Sequence, residues 1–235
     1  MEDHSNEGKS MKGVIVVFVK TPGISNVKTR LAAGIGPENA NLFYSLSVLA
    51  TESLTKKLQH QMDGVDVLWA VAEPEGLTSE FWRGMKTMPQ SSGGLGDRLA
   101  AAYESLRQKY SFVCFIGADS PHLRLKDLSR YISTTEFYAS DSAIVGETRD
   151  GGFYFFGSGV PLPSEVWKSV AYSTDQTANQ LKAGLSMYCK VRLVDSNFDV
   201  DEKEDLLIYQ SNGFEVRELI PAQVELINWV KSLKL

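Results

Sequence analysis

Short apolar runs alternate with amphipathic stretches along most of the chain. Val14–Val19, Val67–Val71 and Phe112–Ile116 are continuous apolar runs rich in β-branched and aromatic residues. Such runs are typical of strands buried on both faces of a parallel sheet. Ala143–Val145 and Phe153–Phe156 predict two further strands. The second of these follows a glycine pair directly, which indicates an antiparallel or edge strand.

Five stretches between these runs have the spacing of apolar residues that is typical of helices. They cover residues 37–59, 97–109, 126–137, 174–187 and 220–233. The first begins with Pro37 followed by Glu38, a common start of a helix. Its predicted apolar stripe consists of Leu42, Leu46, Leu49 and Leu54.

Alternating strands and helices predict a three-layer α/β/α sandwich with a mixed, mostly parallel central sheet. With 235 residues, 43% of them hydrophobic, the chain is long enough for one large core. We expect a single domain over residues 12–235, preceded by a flexible polar tail, residues 1–11. Ligands of such sheets bind beyond the carboxyl ends of the strands, so the residues after each strand are the candidates for function.

Composition excludes several classes of protein. A net charge of −5 and a pI of about 5.3 argue against general nucleic-acid binding. Cys114 and Cys189 provide no disulfide framework, and the three histidines are too scattered for a transition-metal site. The first apolar run is too short to span a membrane and lacks a signal-peptide cleavage site. A cytoplasmic protein is expected, and its oligomeric state stays open.

A basic loop follows the first predicted strand. It contains Lys20, Lys28 and Arg30 in an otherwise acidic protein. These side chains could bind phosphate, as lysine point charges and a bidentate guanidinium, or could simply be solvated. Further along, the glycine-rich segment 93–96 precedes Arg98 and a predicted helix. Ligand binding and a structural turn are equally open for that segment.

Acidic residues follow several of the later strands. Asp119 comes just after the Phe112–Ile116 run, where a carboxylate is costly unless a cation meets it. Magnesium would serve, and a helix cap is the alternative. Asp199 and Asp201 would lie on one side of an extended segment. Asp150 precedes two glycines, which is also an ordinary hairpin signal.

Six short motifs in this order resemble those of a known family. They are Lys20-x-Pro22 with Val27–Leu31, Gly94–Arg98, Gly117-x-Asp119-Ser120-Pro121, Asp150–Tyr154, Tyr172–Thr174, and Asp199–Asp201 leading to Leu206. The family is the bacterial group of nucleotide-diphospho-sugar transferase-like proteins, which are glycosyltransferase-like and have the GT-A fold. The resemblance runs from about Val14 to Leu206.

The resemblance implies a metal-dependent transferase, glycosyltransferase-like, that takes a nucleotide-diphospho-sugar donor and a small-molecule acceptor. It implies that Asp119 and Asp201 hold Mg²⁺ or Mn²⁺, with Asp199 as the alternate second ligand. The cations Lys20, Lys28 and Arg30 would contact the nucleotide or its phosphates, and Arg98 would assist them. Asp150 is the candidate for activating an acceptor hydroxyl, with a purely structural turn as its alternative.

Two other functions stay open. Many sugar transferases carry Asp-x-Asp after the central strand, whereas this chain has Asp119-Ser120-Pro121 with a single acid. That pattern resembles nucleotidyltransferases, so the chain could instead join a nucleotide to a phosphorylated small molecule. The other alternative is a non-catalytic module that binds a nucleotide.

Overall fold

The computed structural model describes residues 13–211 and 213–235 of the chain. The predicted tail, residues 1–11, lies outside the described residues. The strands are β1 (Gly13–Val19), β2 (Val65–Val71), β3 (Thr87–Pro89), β4 (Phe112–Gly117), β5 (Ser142–Glu147), β6 (Phe153–Ser158) and β7 (Lys190–Leu193). The helices are α1 (Thr29–Ile35), α2 (Pro37–Gln61), α3 (Leu95–Arg107), α4 (Leu125–Phe137), α5 (Glu165–Lys168), α6 (Thr177–Ser186), α7 (Lys203–Gln210) and α8 (Pro221–Ser232). Short 3₁₀ turns cover Pro74–Thr78 and Glu80–Trp82.

All seven strands form one sheet in the order β3-β2-β1-β4-β6-β5-β7. Every neighbouring pair is parallel except for the two pairs that contain β6, which runs antiparallel to both β4 and β5. The predicted antiparallel direction of the Phe153–Phe156 run is therefore confirmed. Its possible edge position is wrong, because β6 is a central strand and β3 and β7 form the edges.

Helices cover both faces of the sheet and give the predicted three layers. In β1, Ile15 and Val17 pack on the side of α2 and α4, whereas Val14 and Val16 pack on the side of α3, α5 and α6. Both sets are fully buried. This alternation with a period of two explains why β1 reads as a continuous apolar run. A third apolar cluster joins α1, α7 and α8 to the outer side of α2.

The apolar stripe predicted for α2 is wrong in part. Leu54 is buried, but Leu42 and Leu49 are 44% and 47% exposed. The helix instead buries a face that includes Phe43 and Val48 together with small polar residues. The hydroxyl groups of these small residues donate hydrogen bonds to helix carbonyl oxygens four residues earlier. The residues are Ser47, Thr51 and Thr55. The buried face of α2 is therefore the face whose small residues allow close packing, and not the face that carries most of its leucines.

One edge of the sheet, across the ends of the strands, carries the carboxyl ends of β1, β2, β4, β5 and β7, because these strands are parallel to one another. The basic loop, residues 20–30, leaves β1 at this edge and runs into the first turn of α1, and Asp119 follows β4 there. The turn 148–152 leaves β5 at the same edge. None of the helices in the described ranges has the length and apolar character that crossing a membrane requires.

Candidate functional site

Asp119, Asp199 and Asp201 come together at the end of β4. The backbone N–H of Val200 donates to the carbonyl oxygen of Asp119 at 3.0 Å, which holds segment 198–201 beside that strand end. The Ser120 hydroxyl lies within hydrogen-bond distance of two acceptors in this segment. They are the carbonyl oxygen of Phe198, at 3.0 Å, and Oδ1 of Asp199. Residues 80 positions apart in the chain thus form one acidic cluster.

The Lys28 ammonium group lies inside this cluster. Its Nζ contacts Oδ1 of Asp119 and lies 3.0 Å from Oδ1 of Asp201. The Lys28 side chain is 4% exposed, whereas that of Asp119 is 46% exposed. Burial lowers the pKa of Lys28, but the two carboxylates outweigh that effect and leave it raised above its ordinary value.

Arg30 extends the ion pairs to the surface. Its Nη2 lies 2.5 Å from Oδ2 of Asp201, and its Nη1 lies 3.4 Å from a carboxylate oxygen of Glu202. The Arg30 side chain is 63% exposed. Asp205 accepts hydrogen bonds at 2.8 Å from the backbone N–H groups of Asp201 and Glu202. Asp205 thereby caps α7 and fixes the backbone that presents Asp201.

The environment of Asp199 differs from that of the other two acids. Its burial and the nearby Asp119 carboxylate raise the pKa of Asp199 to about 7, against the opposing effect of the hydrogen bond from Ser120. Near neutral pH this carboxyl is therefore partly protonated. A cation that approached the cluster would favour its charged form.

The chemistry of these donors fits a hard divalent cation. The cluster offers carboxylate oxygens, the ligands that Mg²⁺ and Mn²⁺ prefer. Within residues 13–211 and 213–235, no three acidic, histidine or cysteine side chains surround one point closely enough to hold an ion alone. Magnesium usually takes one or two carboxylates and completes its shell with water and substrate phosphates. The cluster therefore fits an ion whose remaining ligands would come from water and from a bound substrate.

The other predicted site residues lie along the same edge without contacting the acids. The Lys20 side chain is exposed at the end of β1. Arg98 donates to the carbonyl oxygen of Gly93 at 3.0 Å and to Oε1 of Gln90 at 3.2 Å. Gln90 in turn donates to the carbonyl oxygen of Ala70 in β2 at 2.8 Å. Arg98 therefore fastens the glycine-rich segment to the strand ends.

Asp150 lies in the turn between β5 and β6. Its Oδ1 accepts hydrogen bonds from the Thr148 hydroxyl at 2.5 Å and the Gly152 N–H at 3.2 Å. These bonds are those of the structural turn that the sequence offered as an alternative role. The side chain is nevertheless exposed at the edge that carries the acidic cluster.

Glu73 holds the basic loop in place and was not among the residues that the sequence predicted. It follows β2, is 8% exposed, and accepts a hydrogen bond from the backbone N–H of Thr21 at 2.8 Å. Burial raises the pKa of Glu73, but hydrogen bonds from Ser25 and Thr21 outweigh it and lower the pKa overall. Glu73 therefore anchors the start of the basic loop. Its place directly after a predicted strand was the available signal.

The structure resembles solved structures of nucleotide-using proteins. A Desulfovibrio desulfuricans protein named "putative nucleotide-diphospho-sugar transferase" superposes with a TM-score of 0.74 over 94% of this chain and 99% of that one, at 19% identity. A Leptospira borgpetersenii cytidylyltransferase superposes with a TM-score of 0.50 at 14% identity, covering 94% of each chain.

A third solved structure has the same fold. It is 4-diphosphocytidyl-2C-methyl-D-erythritol synthase from Anaerococcus prevotii, with a TM-score of 0.51 at 8% identity over 84% of this chain and 96% of that one. At these identities the likeness establishes the fold, which is that of the nucleotide-diphospho-sugar transferases, as the sequence predicted. No curated protein matches the chain by sequence.

One family description matches the sequence itself. It covers residues 52–174, which is more than half of the chain, from the middle of α2 to the segment before α6. The match includes the glycine-rich segment, Asp119 and the turn that contains Asp150. The chain therefore belongs to the family described as "Uncharacterized protein conserved in bacteria (DUF2064)".

Proposed function

We propose that this protein is a metal-dependent transferase that uses a nucleotide-diphospho-sugar donor and transfers the sugar to a small-molecule acceptor. The observation that carries the proposal is the meeting of Asp119, Asp199 and Asp201 at the carboxyl end of β4, beside the basic loop after β1. The fold, whose solved relatives include nucleotide-using proteins, supports the same reading.

Asp119 and Asp201 would hold the Mg²⁺ or Mn²⁺ ion, with Asp199 as the alternate second ligand. Such an ion would supply positive charge to neutralise the donor's diphosphate as the leaving group departs. Asp119 has the exposure that this role needs, because almost half of its side chain is open to solvent. Ser120 and Asp205 orient the ligands by hydrogen bonding to Asp199 and to the backbone around Asp201.

Three cations would bind the nucleotide. The exposed guanidinium of Arg30 can grip a phosphate with two parallel hydrogen bonds, and the exposed ammonium of Lys20 can act as a point charge. Lys28, buried between Asp119 and Asp201, supplies positive charge inside the acidic cluster. Arg98 assists by holding the glycine-rich segment, where the backbone can approach a ligand closely. Preorganised charge of this kind is usually the largest contribution to catalysis.

Asp150 would accept the proton of the acceptor hydroxyl. Its Oδ1 takes the hydrogen bonds of its own turn, so the carboxylate is already fixed in place before an acceptor arrives. The turn lies at the edge of the sheet where the donor would bind. A carboxylate held in this way meets the requirement of position, which comes before the requirement of pKa.

Calorimetry tests the binding step. Titration with UDP- and GDP-sugars in the presence of Mn²⁺ should give binding that Asp119→Ala abolishes while thermal unfolding stays cooperative. Asp141→Ala is the matched control, because Asp141 has a similarly exposed side chain, 45%, but lies at the opposite edge of the sheet, before β5. Absence of any metal-dependent binding to the unaltered protein would remove the basis of the proposal.

A specific observation favours a second candidate, nucleotidyl transfer to a phosphorylated small molecule. After β4 the chain has one acid, Asp119, and the partner acids come from the late segment 199–201 rather than from an Asp-x-Asp motif. Product analysis separates the two reactions. Glycosyl transfer releases a nucleoside phosphate, whereas nucleotidyl transfer from a triphosphate releases pyrophosphate. Binding without turnover of either kind would indicate a nucleotide-binding module.

A further inference from the structure

Lys28 occupies the place where a metal ion is proposed to bind. Its Nζ is surrounded by three oxygen acceptors, which are Oδ1 of Asp119, Oδ1 of Asp201 at 3.0 Å, and the carbonyl oxygen of Val200 at 2.6 Å. An ammonium group has three N–H donors, so this set uses all of them. With 4% of its side chain exposed, Lys28 is the internal counter-ion of the acidic cluster.

The backbone of Lys28 is held in an unusual conformation. Its φ is 49°, in the left-handed region that residues with a Cβ rarely adopt. Lys28 also precedes α1 directly, without a side-chain hydrogen bond to cap that helix. If the Lys28 side chain left the acidic cluster, the backbone of Lys28 could return to an ordinary conformation. The buried ion pairs and the strained backbone therefore oppose each other at one position.

A divalent ion and the Lys28 ammonium cannot use the same oxygens at once. An ion held by Asp119 and Asp201 would compete with Lys28 for the carboxylates that its ammonium group contacts, and two cations in one cluster repel each other. We propose that Lys28 holds Asp119 and Asp201 together before any ligand binds, and that the divalent ion replaces it there. The identity of the incoming ion rests on the proposed function, whereas the position of Lys28 does not.

The replacement has a consequence for the order of binding. A displaced lysine loses three acceptors and needs a new anionic partner, which a phosphate of the donor can provide. When metal binds alone, the displaced Lys28 finds no new partner for its ammonium group. The affinity of metal for the free protein is therefore low. Metal and nucleotide together release Lys28 to the phosphate, and each therefore increases the affinity for the other.

The inference is tested with Mn²⁺ as the probe and without nucleotide. Binding is measured by the electron paramagnetic resonance signal of free Mn²⁺. Lys28→Met removes the charge and keeps the length of the side chain, so it should bind Mn²⁺ about tenfold more tightly than the unaltered protein, or more. A structural role alone would weaken metal binding. Equal or weaker Mn²⁺ affinity in folded Lys28→Met would overturn the inference.

Arg30→Met is the matched control. Arg30 pairs with the same acid, Asp201, but through the other carboxylate oxygen and from the surface. Removing its screened charge should change Mn²⁺ affinity by no more than about threefold. A rise equal to that of Lys28→Met would mean that net charge matters and that the enclosed position of Lys28 does not.

A second measurement uses the unaltered protein and decides the question if Lys28→Met does not fold. Amine acylation is mapped by mass spectrometry with and without saturating Mn²⁺. Acylation of Lys28 should rise at least about fivefold when Mn²⁺ displaces its ammonium group, while the exposed Lys20 in the same loop should react equally in both states. Protection of Lys28 that Mn²⁺ leaves unchanged would contradict the exchange.

The outcomes also separate this inference from the proposed function. If nucleotide sugars fail to bind but Lys28→Met binds Mn²⁺ more tightly, the exchange stands and the transferase proposal fails. If a donor binds with Mn²⁺ but Lys28→Met shows no gain in Mn²⁺ affinity, only the exchange fails.

Discussion

Gly151, in the turn after β5, lies where no side chain fits. Its φ is 87°, and an added Cβ would lie 2.1 Å from the carbonyl oxygen of Asp175. The Gly151 carbonyl also accepts a hydrogen bond from the N–H of Ala178 at 2.8 Å, which joins the turn to α6. Gly151→Ala should therefore lower the free energy of unfolding by at least about 3 kcal/mol, measured by urea denaturation.

Gly84 separates the two causes of that loss. It has nearly the same φ, 83°, but an added Cβ would meet nothing within 4 Å. Gly84→Ala should cost only about 1 kcal/mol, the penalty of the left-handed backbone alone. Equal losses in the two variants would show that the contact with Asp175 does not matter.

At this scale the sequence predicted the acids better than the cations. Asp119 could be found because it follows a continuous apolar run, and that position alone places it at the carboxyl ends of the parallel strands. The partner of Lys28 could not be found, because Asp201 lies 173 residues further along the chain. Local charge in the basic loop fitted a solvated loop equally well. Only the fold decides which lysine is enclosed.

Helix α8 fastens the segment that follows Asp119. Gln223, which is fully buried, donates to the carbonyl oxygens of Pro121 at 2.7 Å and Leu123 at 2.8 Å. Gln223→Met would leave both carbonyls buried without a partner, so the free energy of unfolding should fall by about 3 kcal/mol. Chemical denaturation measures that loss.

Gln210 in α7 provides the comparison for Gln223. It also donates to two carbonyl oxygens, those of Val230 and Leu233, each at 3.1 Å, but it is only half-buried. Water can replace those bonds, so Gln210→Met should cost about 1 kcal/mol or less. A loss as large as that of Gln223→Met would contradict the importance of burial.

Elements with strong patterns were predictable, and short exposed ones were not. The five predicted strands and five predicted helices are all present, with ends that differ by a few residues. The edge strands β3 and β7 were missed because neither is fully buried, so neither has an apolar run. The turn of α5 is only four residues long, too short for a periodic pattern.

Stability of the whole molecule should depend on pH through His122. Its ring nitrogens lie 2.7 Å from the Tyr209 hydroxyl and 2.6 Å from Oδ1 of Asn197, which joins α7 to the segment before Asp199. Burial, together with the charges of Arg149 and Arg124 and against the hydrogen bond that the ring donates to Asn197, lowers the pKa of His122 from 6.5 to about 4. The folded protein thus keeps this histidine neutral.

The unfolded chain binds a proton at His122 below about pH 6.5 and the folded chain does not, so stability falls as pH falls toward 4. Between pH 8 and pH 5 this histidine should contribute about 2 kcal/mol of the loss. Urea denaturation at pH 8 and pH 5 gives the loss of unfolding free energy between the two. In His122→Gln that loss should be smaller by about 2 kcal/mol. His60→Gln, at an exposed position in α2, should retain the full difference.

The arrangement of the molecule as a whole was only partly predictable. Alternating strands and helices predicted three layers and a mostly parallel sheet, and both are confirmed. The strand order was out of reach, because pairing of β4 with β6 rather than with β5 depends on contacts between distant segments. The position of segment 198–201 beside β4 depends on the same long-range contacts.

The insertion of β6 sets the distance between the carboxyl ends of β4 and β5. Neighbouring strands lie about 4.8 Å apart, so the ends of β4 and β5 are separated by roughly 10 Å. Asp119 follows β4 at one side of this interval, and the turn that contains Asp150 spans the other half, from the end of β5 to the start of β6. Had β4 and β5 been adjacent, the loops after them would follow neighbouring strands directly. With β6 between them, the Asp150 turn leads into the strand that pairs with β4, so the loops of Asp119 and Asp150 are neighbours at the same end of the sheet.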